Sequence, residues 1–344
     1  LMEEARLDYF LISDPQSIAY CTGYYNDPHE RMFVFMISKH GNHTLFMNDL
    51  FYLDHDLDVN IVWHKDGQDA IQTIVDEMHF PGRIGIDKNW ASHFLLDLMK
   101  KLPDAKYINA SPCVDLVRMK KDLQEQVLMI ESSKINDAVM EEIIPFIQEG
   151  VTEKQLAKKL DELFFKHHST CYGAIVAFGK NAADPHHEND DTLLRKGDCV
   201  LIDMGCVYKG YCSDMTRTFF YEGILEEEIK VYEIVKKANE AAEAMIKPGV
   251  KLSDIDKCAR KVISDEGYGK YFTHRLGHFI GRDVHEYGDV SSVNEMEVEE
   301  GMIFSIEPGI YLEGNFGVRV EDLVMVTKDR CQVLNSFTKD IYII

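Results

Sequence analysis

The stretch Leu201-Ile-Asp-Met-Gly-Cys-Val-Tyr-Lys-Gly-Tyr-Cys-Ser-Asp-Met-Thr-Arg-Thr218 reads as a β-hairpin with an acid on each arm. Cys199–Ile202 and Thr216–Phe220 have strand composition, and Tyr208-Lys209-Gly210 between them has the chemistry of a tight turn. Centring the turn between Tyr208 and Lys209 sets Asp203 directly opposite Asp214. Opposed residues share a face with Cβ atoms roughly 4.5–5.5 Å apart, and two carboxylates that close repel unless a cation lies between them. The hairpin therefore reads as half of a metal site. A hairpin standing alone would be read more plainly, as one solvated edge Asp and one turn Asp. A bulge at Gly210 would shift the register by one, and a second bulge would be needed to restore the shared face.

Around this hairpin the chain repeats itself. Ile147-Gln-Glu-Gly-Val151 followed by Leu156 matches Ile246-Lys-Pro-Gly-Val250 followed by Ile255, 99 residues on from Gly150 to Gly249. Each copy reads as a helix, a Gly-Val break and a second helix. The second helix of the first copy opens with a capping box, Thr152-x-x-Gln155, and is apolar at Leu156, Leu160 and Phe164. A strand-rich section follows each pair: the hairpin above, then Met302–Tyr311 and Gly317–Val326 around a Glu313-Gly-Asn turn. A duplicated helix-then-strand unit predicts two curved sheets facing each other, helices outside and a cleft between.

The second copy brings its own acids. Glu307 and Glu321 are equidistant from Gly314, so they too belong on one hairpin. Alternation along the last strand puts Arg319 and Glu321 on one face and Val318 and Val320 on the other, setting an arginine beside the acid. His274 and His278 have the HxxxH spacing, but Gly277 and Gly281 argue against a regular helix; His278 is taken as the nitrogen ligand and His274 as its neighbour. Two Asp, two Glu and one His exceed what one divalent ion needs, which predicts two ions. Oxygen-rich ligation favours Mn²⁺, with Co²⁺ and Zn²⁺ as alternatives. Paired cations make hydroxide from water and polarise a carbonyl, so hydrolysis is the expected reaction, with Glu307 accepting a proton from water.

Residues 1–115 alternate strand and helix signals and form a small α/β domain; residues 116–344 form the duplicated domain. Strands are expected at Tyr9–Ile12, Met32–Ile37, Thr44–Met47, Val59–Val62 and Arg83–Ile86, with helices at Asp69–Met78 and Ala91–Leu102. The first domain's unusual feature is the loop Tyr24-Tyr-Asn-Asp-Pro-His-Glu-Arg31, crowded with charge.

The 344 residues are 45% hydrophobic, enough for two cores. There are 37 basic residues against 59 acidic, a formal charge of −22, which argues against nucleic acid or an anionic membrane as partner. No apolar run reaches the roughly 18–20 residues of a membrane span, and the first residues have a helical rather than a leader pattern. Eight scattered cysteines with no CxxC pair suit a reducing cytoplasm. Cys206 and Cys212, which flank the turn, read as small buried thiols rather than metal ligands.

With Ile202-Asp-Met-Gly, Tyr211-Cys-Ser-Asp-Met-Thr-Arg-Thr218, His274-x-x-x-His278, His285, Ile306-Glu-Pro-Gly-Ile-Tyr311 and Val318-Arg-Val-Glu-Asp322 in place, the chain resembles the pita-bread metallopeptidases of the creatinase and methionine aminopeptidase clan. It is most similar to their proline-peptidase branch, along nearly its whole length. The resemblance implies Asp203, Asp214, His278, Glu307 and Glu321 as ligands of two metal ions. It implies that His186, in Asp184-Pro-His-His187, and His285 bind substrate and move protons, while His274, Tyr311 and Arg319 line the site. The doubled histidine departs from relatives that follow the first with Gly, so His187 remains an alternative to His186. The stretch Gly23–Arg31 resembles the matching loop of bacterial Xaa-Pro dipeptidases, which implies a homodimer and a proline-containing dipeptide as substrate. A dipeptide presents its free carboxylate beside the scissile bond, and Arg275 and Arg31 are the candidate cations for it. The alternatives are an Xaa-Pro aminopeptidase acting on longer peptides and a pita-bread protein that binds peptides without cutting them.

Overall fold

The computed structural model describes residues 1–344 except Asp54 and Phe80, and divides into two compact units, Leu1–Arg118 and Met119–Ile344. The first unit is a six-stranded sheet of β1 (Tyr9–Ile12), β2 (Val34–Ser38), β3 (Thr44–Asn48), β4 (Asn60–His64), β5 (Arg83–Ile86) and β6 (Lys106–Asn109), in the order β4-β3-β2-β1-β5-β6. Its helices are α1 (Pro15–Thr22), α2 (Ala70–Glu77), α3 (Ser92–Lys101) and α4 (Pro112–Met119). Helix α1 and strand β6 were not anticipated. The first is two turns long and rests on its cap, Asp14 accepting the Ser17 N–H, with Pro15 leading. Residues 2–6 form turns rather than a helix.

In the second unit the repeat becomes two helix pairs. Helices α5 (Leu123–Ile143) and α6 (Glu153–Lys166) serve the first half, α7 (Glu226–Met245) and α8 (Leu252–Asp265) the second. The capping box of α6 forms as expected, and α5 has one from Asp122 and Glu125. Between the helices of each pair the chain turns on a left-handed glycine, Gly150 with φ 81° and Gly249 with φ 86°. Each of these glycines donates its N–H at 2.9 Å, to the Leu194 and Val298 carbonyls respectively. The two halves thus repeat at the level of single hydrogen bonds.

The strands are β7 (Thr170–Cys171), β8 (Ile175–Phe178), β9 (Cys199–Met204), β10 (Cys206–Tyr208), β11 (Tyr211–Cys212) and β12 (Met215–Phe220) in the first half. The second has β13 (Gly277–His278), β14 (Asp289–Val290), β15 (Ile303–Ile306), β16 (Gly309–Leu312), β17 (Phe316–Arg319), β18 (Asp322–Val326) and β19 (Cys331–Val333). The main sheets run β12-β9-β8 and β15-β18-β19. Leu156, Leu160 and Phe164 of α6 pack with Val200 and Ile202 of β9 in one buried cluster.

One register differs from expectation. Asp203 pairs with Thr216, and Val207 with Cys212, so the turn is centred between Lys209 and Gly210. Both turn residues are left-handed, φ 49° and 83°, as a two-residue type I′ turn requires. The shift is by two residues, which keeps Asp203 and Asp214 on one face but makes them diagonal neighbours. The second hairpin keeps the expected register, with Gly309 opposite Arg319 and Ile306 opposite Asp322.

The halves meet where β12 runs beside β17 and β18. Arg217 is buried there and uses all five N–H groups: on the carbonyls of Thr216, Glu321, Phe337 and Thr338, and on the Asp322 carboxylate at 2.7 Å. The last residues then follow β12: the Phe220 N–H donates to the Tyr342 carbonyl, the Ile344 N–H to the Phe220 carbonyl, and the Glu222 N–H to the Ile344 carbonyl.

Candidate metal centre

Both hairpins stop pairing regularly beside their acids, with Asp203 still inside β9 just ahead of the break. Gly205, Ser213 and Asp214 lie between strands in the first hairpin, and Glu307, Pro308, Val320 and Glu321 in the second. Gly205 is needed at its break, because a Cβ there would lie 1.9 Å from the Tyr172 hydroxyl and 2.0 Å from the Ser213 carbonyl. Matching asparagines on the long helices hold the strand ends just before each break. Asn136 of α5 donates to the Met204 carbonyl at 3.0 Å, and Asn239 of α7 donates to the Ile306 carbonyl at 2.9 Å.

This backbone brings the five expected ligands to one cavity of about 250 Å³, whose lining also includes His186, His274, Arg275, His285 and Arg319. Asp214, His278 and Glu321 offer ligand atoms within 4.8 Å of one another. His278 Nε2 is 3.6 Å from both Asp214 Oδ2 and Glu307 Oε1, while its Nδ1 lies 3.2 Å from the Phe279 carbonyl. That contact suits a proton on Nδ1, so that Nε2, once its own proton is lost, would turn a lone pair to an ion among the carboxylates, the usual arrangement of a metal-ligating histidine. Ser305 Oγ accepts the His278 N–H at 3.0 Å and donates to Glu307 at 3.2 Å. Glu321 accepts from Thr216 Oγ at 2.6 Å, and Asp203 accepts from Arg319 at 2.6 Å. One oxygen each of Asp214 and Glu321 is buried with no donor. Orphaned buried carboxylate oxygens are costly, and a divalent cation is the partner that suits two of them beside an imidazole lone pair. The donor set fits a metal.

The electrostatics agree. Burial raises the pKa of Asp203, lifts Glu307 to about 7 and pushes Glu321 well above the carboxylate range, each reinforced by the other acids. Burial would depress His278, but Asp214 and Glu307 outweigh it and raise the imidazole. Arg319 is buried too, yet Tyr311 and the carboxylates keep it charged.

Beside the acids runs a directed chain of bonds. Arg319 donates to the Tyr311 hydroxyl at 3.0 Å; that hydroxyl is 2.8 Å from His274 Nε2; His274 Nδ1 is 2.7 Å from the Arg275 carbonyl. A proton on Nδ1 makes Nε2 the acceptor of the tyrosine proton. Burial and the Arg319 charge push His274 down to about 4, and burial with the His278 charge does the same to His285, so both are neutral at pH 7. The His285 ring stands edge-on to His278, centroids 4.2 Å apart.

Of the two adjacent histidines, His186 lines the cavity, whereas His187 is turned to Glu153 at 2.6 Å. Arg31 is not among the lining residues; within the first unit it bonds Asp66 twice at 2.9 Å and Glu30 at 2.8 Å. Tyr172, which sequence reasoning missed, lines the cavity and donates to the Ser213 carbonyl at 2.7 Å. The signal that could have found it is Gly205, a glycine inside a strand pattern, which marks close approach by another group. All eight cysteines are free, with Cys206 and Cys212 buried. Among the described residues no helix is long and apolar enough to cross a membrane.

The model of metallopeptidase family M24 matches residues 127–328, and that of the creatinase/prolidase N-terminal domain matches residues 1–120. An uncharacterized peptidase of Staphylococcus aureus is 35% identical over 95% of this chain and 94% of its own. The crystal structure of a dipeptidase from Pyrococcus horikoshii covers the whole chain and 98% of its own, at 35% identity and a TM-score of 0.93. An Xaa-Pro dipeptidase from Bacillus anthracis is similar over 100% of this chain and 97% of its own, at 29% identity and a TM-score of 0.92. The chain therefore belongs to metallopeptidase family M24, with a creatinase/prolidase N-terminal domain.

Proposed function

We propose that this metallopeptidase cleaves the Xaa-Pro bond of dipeptides with two divalent ions, Mn²⁺ being the working metal. The observation that carries the reading is the convergence of Asp203, Asp214, His278, Glu307 and Glu321 on one cavity, two of them with buried oxygens lacking any donor. When bound, the ions supply an activated water and polarise the scissile carbonyl. Glu307, on the wall of the same cavity, takes up the proton that water loses. His186 and His285 bind the substrate from the cavity wall, and neutral His285 hands protons on. Arg319, fixed between Asp203 and Tyr311, presents positive charge where the carbonyl oxygen becomes negative.

Arg275 receives the free carboxylate of the dipeptide. The cavity of about 250 Å³ is small against the roughly 300–1,000 Å³ of drug-sized sites, and suits two residues better than a long peptide. The reading includes a homodimer in a reducing cytoplasm, in which the Arg31 loop of a second copy reaches the site. An Arg31→Ala change is expected to impair dipeptide turnover without loss of metal.

The test is turnover of Ala-Pro and Leu-Pro by metal-loaded protein, beside a Xaa-Pro-Yaa tripeptide and a count of ions per chain. Faster cleavage of dipeptides with two ions bound is expected. Preference for the tripeptide would make the chain an Xaa-Pro aminopeptidase, no turnover of either would make it a peptide-binding module, and one ion per chain would point to a single structural site.

A further inference from the structure

The doubled histidine is unexplained by the reaction. Resting on the reading of His186 as a substrate-side imidazole, we infer that Glu153 and His187 are positioning residues that fix His186 against the cavity. Glu153 is the first residue of α6 and has no exposed surface. Its carboxylate accepts four N–H groups: Phe178 N and Asn181 Nδ2 on Oε1, both at 2.9 Å, and His187 Nε2 at 2.6 Å with Asp190 N at 3.0 Å on Oε2.

Glu153, His187 and Asp190 are close enough to bracket an ion. A carboxylate has about four lone-pair sites, however, and these four donors fill them. The cluster is therefore a hub of hydrogen bonds rather than a second metal site. Its donors span the segment from Phe178 at the end of β8 to Asp190, with His186 between them.

Other contacts hold the rim of this segment. Asn189 bonds the backbone of Val176 and Ala174 at 2.7 and 2.8 Å, and the Ala182 carbonyl lies where a Cβ on Gly317 would come within 1.9 Å. Arg319 reaches the Pro185 carbonyl at 3.4 Å. Only the bond from His187 is made by a side chain on the residue that follows His186 directly. It is charge-assisted and part-buried, so it sets the direction in which the His186–His187 backbone faces. Displacing a catalytic group by about 1 Å costs on the order of 100-fold in rate.

The experiment compares His187→Ala with His187→Gln in the full, metal-replete chain. With His187→Ala, kcat on Ala-Pro is expected to fall roughly 10- to 100-fold, KM to change much less, and bound metal to stay the same. In His187→Gln the side-chain amide can still donate to Glu153, and most of the rate should return. Hydrogen exchange across residues 179–190 gives a readout independent of turnover: faster in His187→Ala, restored in His187→Gln. If His187→Ala does not fold, Glu153→Gln, of equal shape but with half its acceptors replaced by donors, takes its place with the same expected losses.

A wild-type rate and wild-type exchange in the disrupting variant would overturn the inference. So would a His187→Gln variant as slow as His187→Ala, because the imidazole itself would then be needed for chemistry. Slower loop exchange on adding Mn²⁺ beyond two ions per chain would show the cluster to be a metal site instead. Should wild-type protein cleave no Xaa-Pro peptide, the functional reading fails, and the exchange comparison still decides whether the clamp exists.

Discussion

Glu307 combines burial with a carboxyl lifted to about 7, well above its ordinary 4.5. A group raised in the folded state stabilises the fold fully below its unfolded pKa, and that contribution is lost as pH rises through the folded value. In metal-free protein, Glu307→Gln removes this loss. The variant should melt close to wild type at pH 5 and above it at pH 8, the gap opening between about 4.5 and 7; thermal melts across that range measure it. Metal binding requires the ionised acids, so affinity for Mn²⁺ should rise with pH over the same window. Asp214→Ala deletes a proposed ligand with a buried orphan oxygen, and is expected to lower bound metal and cut Xaa-Pro turnover more than about 100-fold. Metal analysis and a dipeptide assay check both. The four acids and one imidazole that converge were legible because each sits at a marked place: two acids about each hairpin centre, and a histidine between glycines. Tyr172 was not legible, since its place depends on packing over Gly205 across 33 residues of chain. Nor was the division between His186 and His187, since the partner that turns one away, Glu153, lies on another element.

The first hairpin shows what sequence patterns resolve at the level of elements and what they leave to turn geometry. Composition marked the strands β9 and β12 and the turn, but assigning Gly210 to the far side of the turn misplaced its centre. Left-handed backbone at both Lys209 and Gly210 decides the register. Period-2 alternation protected the conclusion, because a slip of two residues leaves every side chain on its face. The sequence also could not show that each long strand of the second hairpin splits, β15 from β16 and β17 from β18, since the interruption at Glu307 and Glu321 serves the site rather than the strand. Gly205→Ala tests how tightly the first interruption is packed. Its methyl group would force the Tyr172 ring and the Ser213 backbone aside, a cost of about 1–3 kcal/mol in stability by overpacking. Urea unfolding would measure the cost, and metal affinity should fall with it because Asp214 follows Ser213.

Across the whole molecule, the duplication was readable from one five-residue match, because Gly150 and Gly249 must both take left-handed backbone. What joins the halves was not, because Arg217 draws its acceptors from strand, hairpin and terminal segments far apart in sequence. Arg217→Met leaves the Asp322 carboxylate without that partner, and should destabilise the protein by about 3–5 kcal/mol. Denaturant midpoints at constant slope would verify it. Removing metal should act more gently: a chelator is expected to lower the melting temperature by roughly 5–10 °C, and Mn²⁺ to restore it. The terminal segment adds an order of events. Residues 342–344 cover the open side of β12, and Arg217 is satisfied only when Phe337 and Thr338 have arrived. These residues leave the ribosome after both halves, so during synthesis β12 keeps a bare flank and Arg217 waits for acceptors. The seam between the halves is therefore closed last, by residues 337–344, once both strand-rich sections have been made.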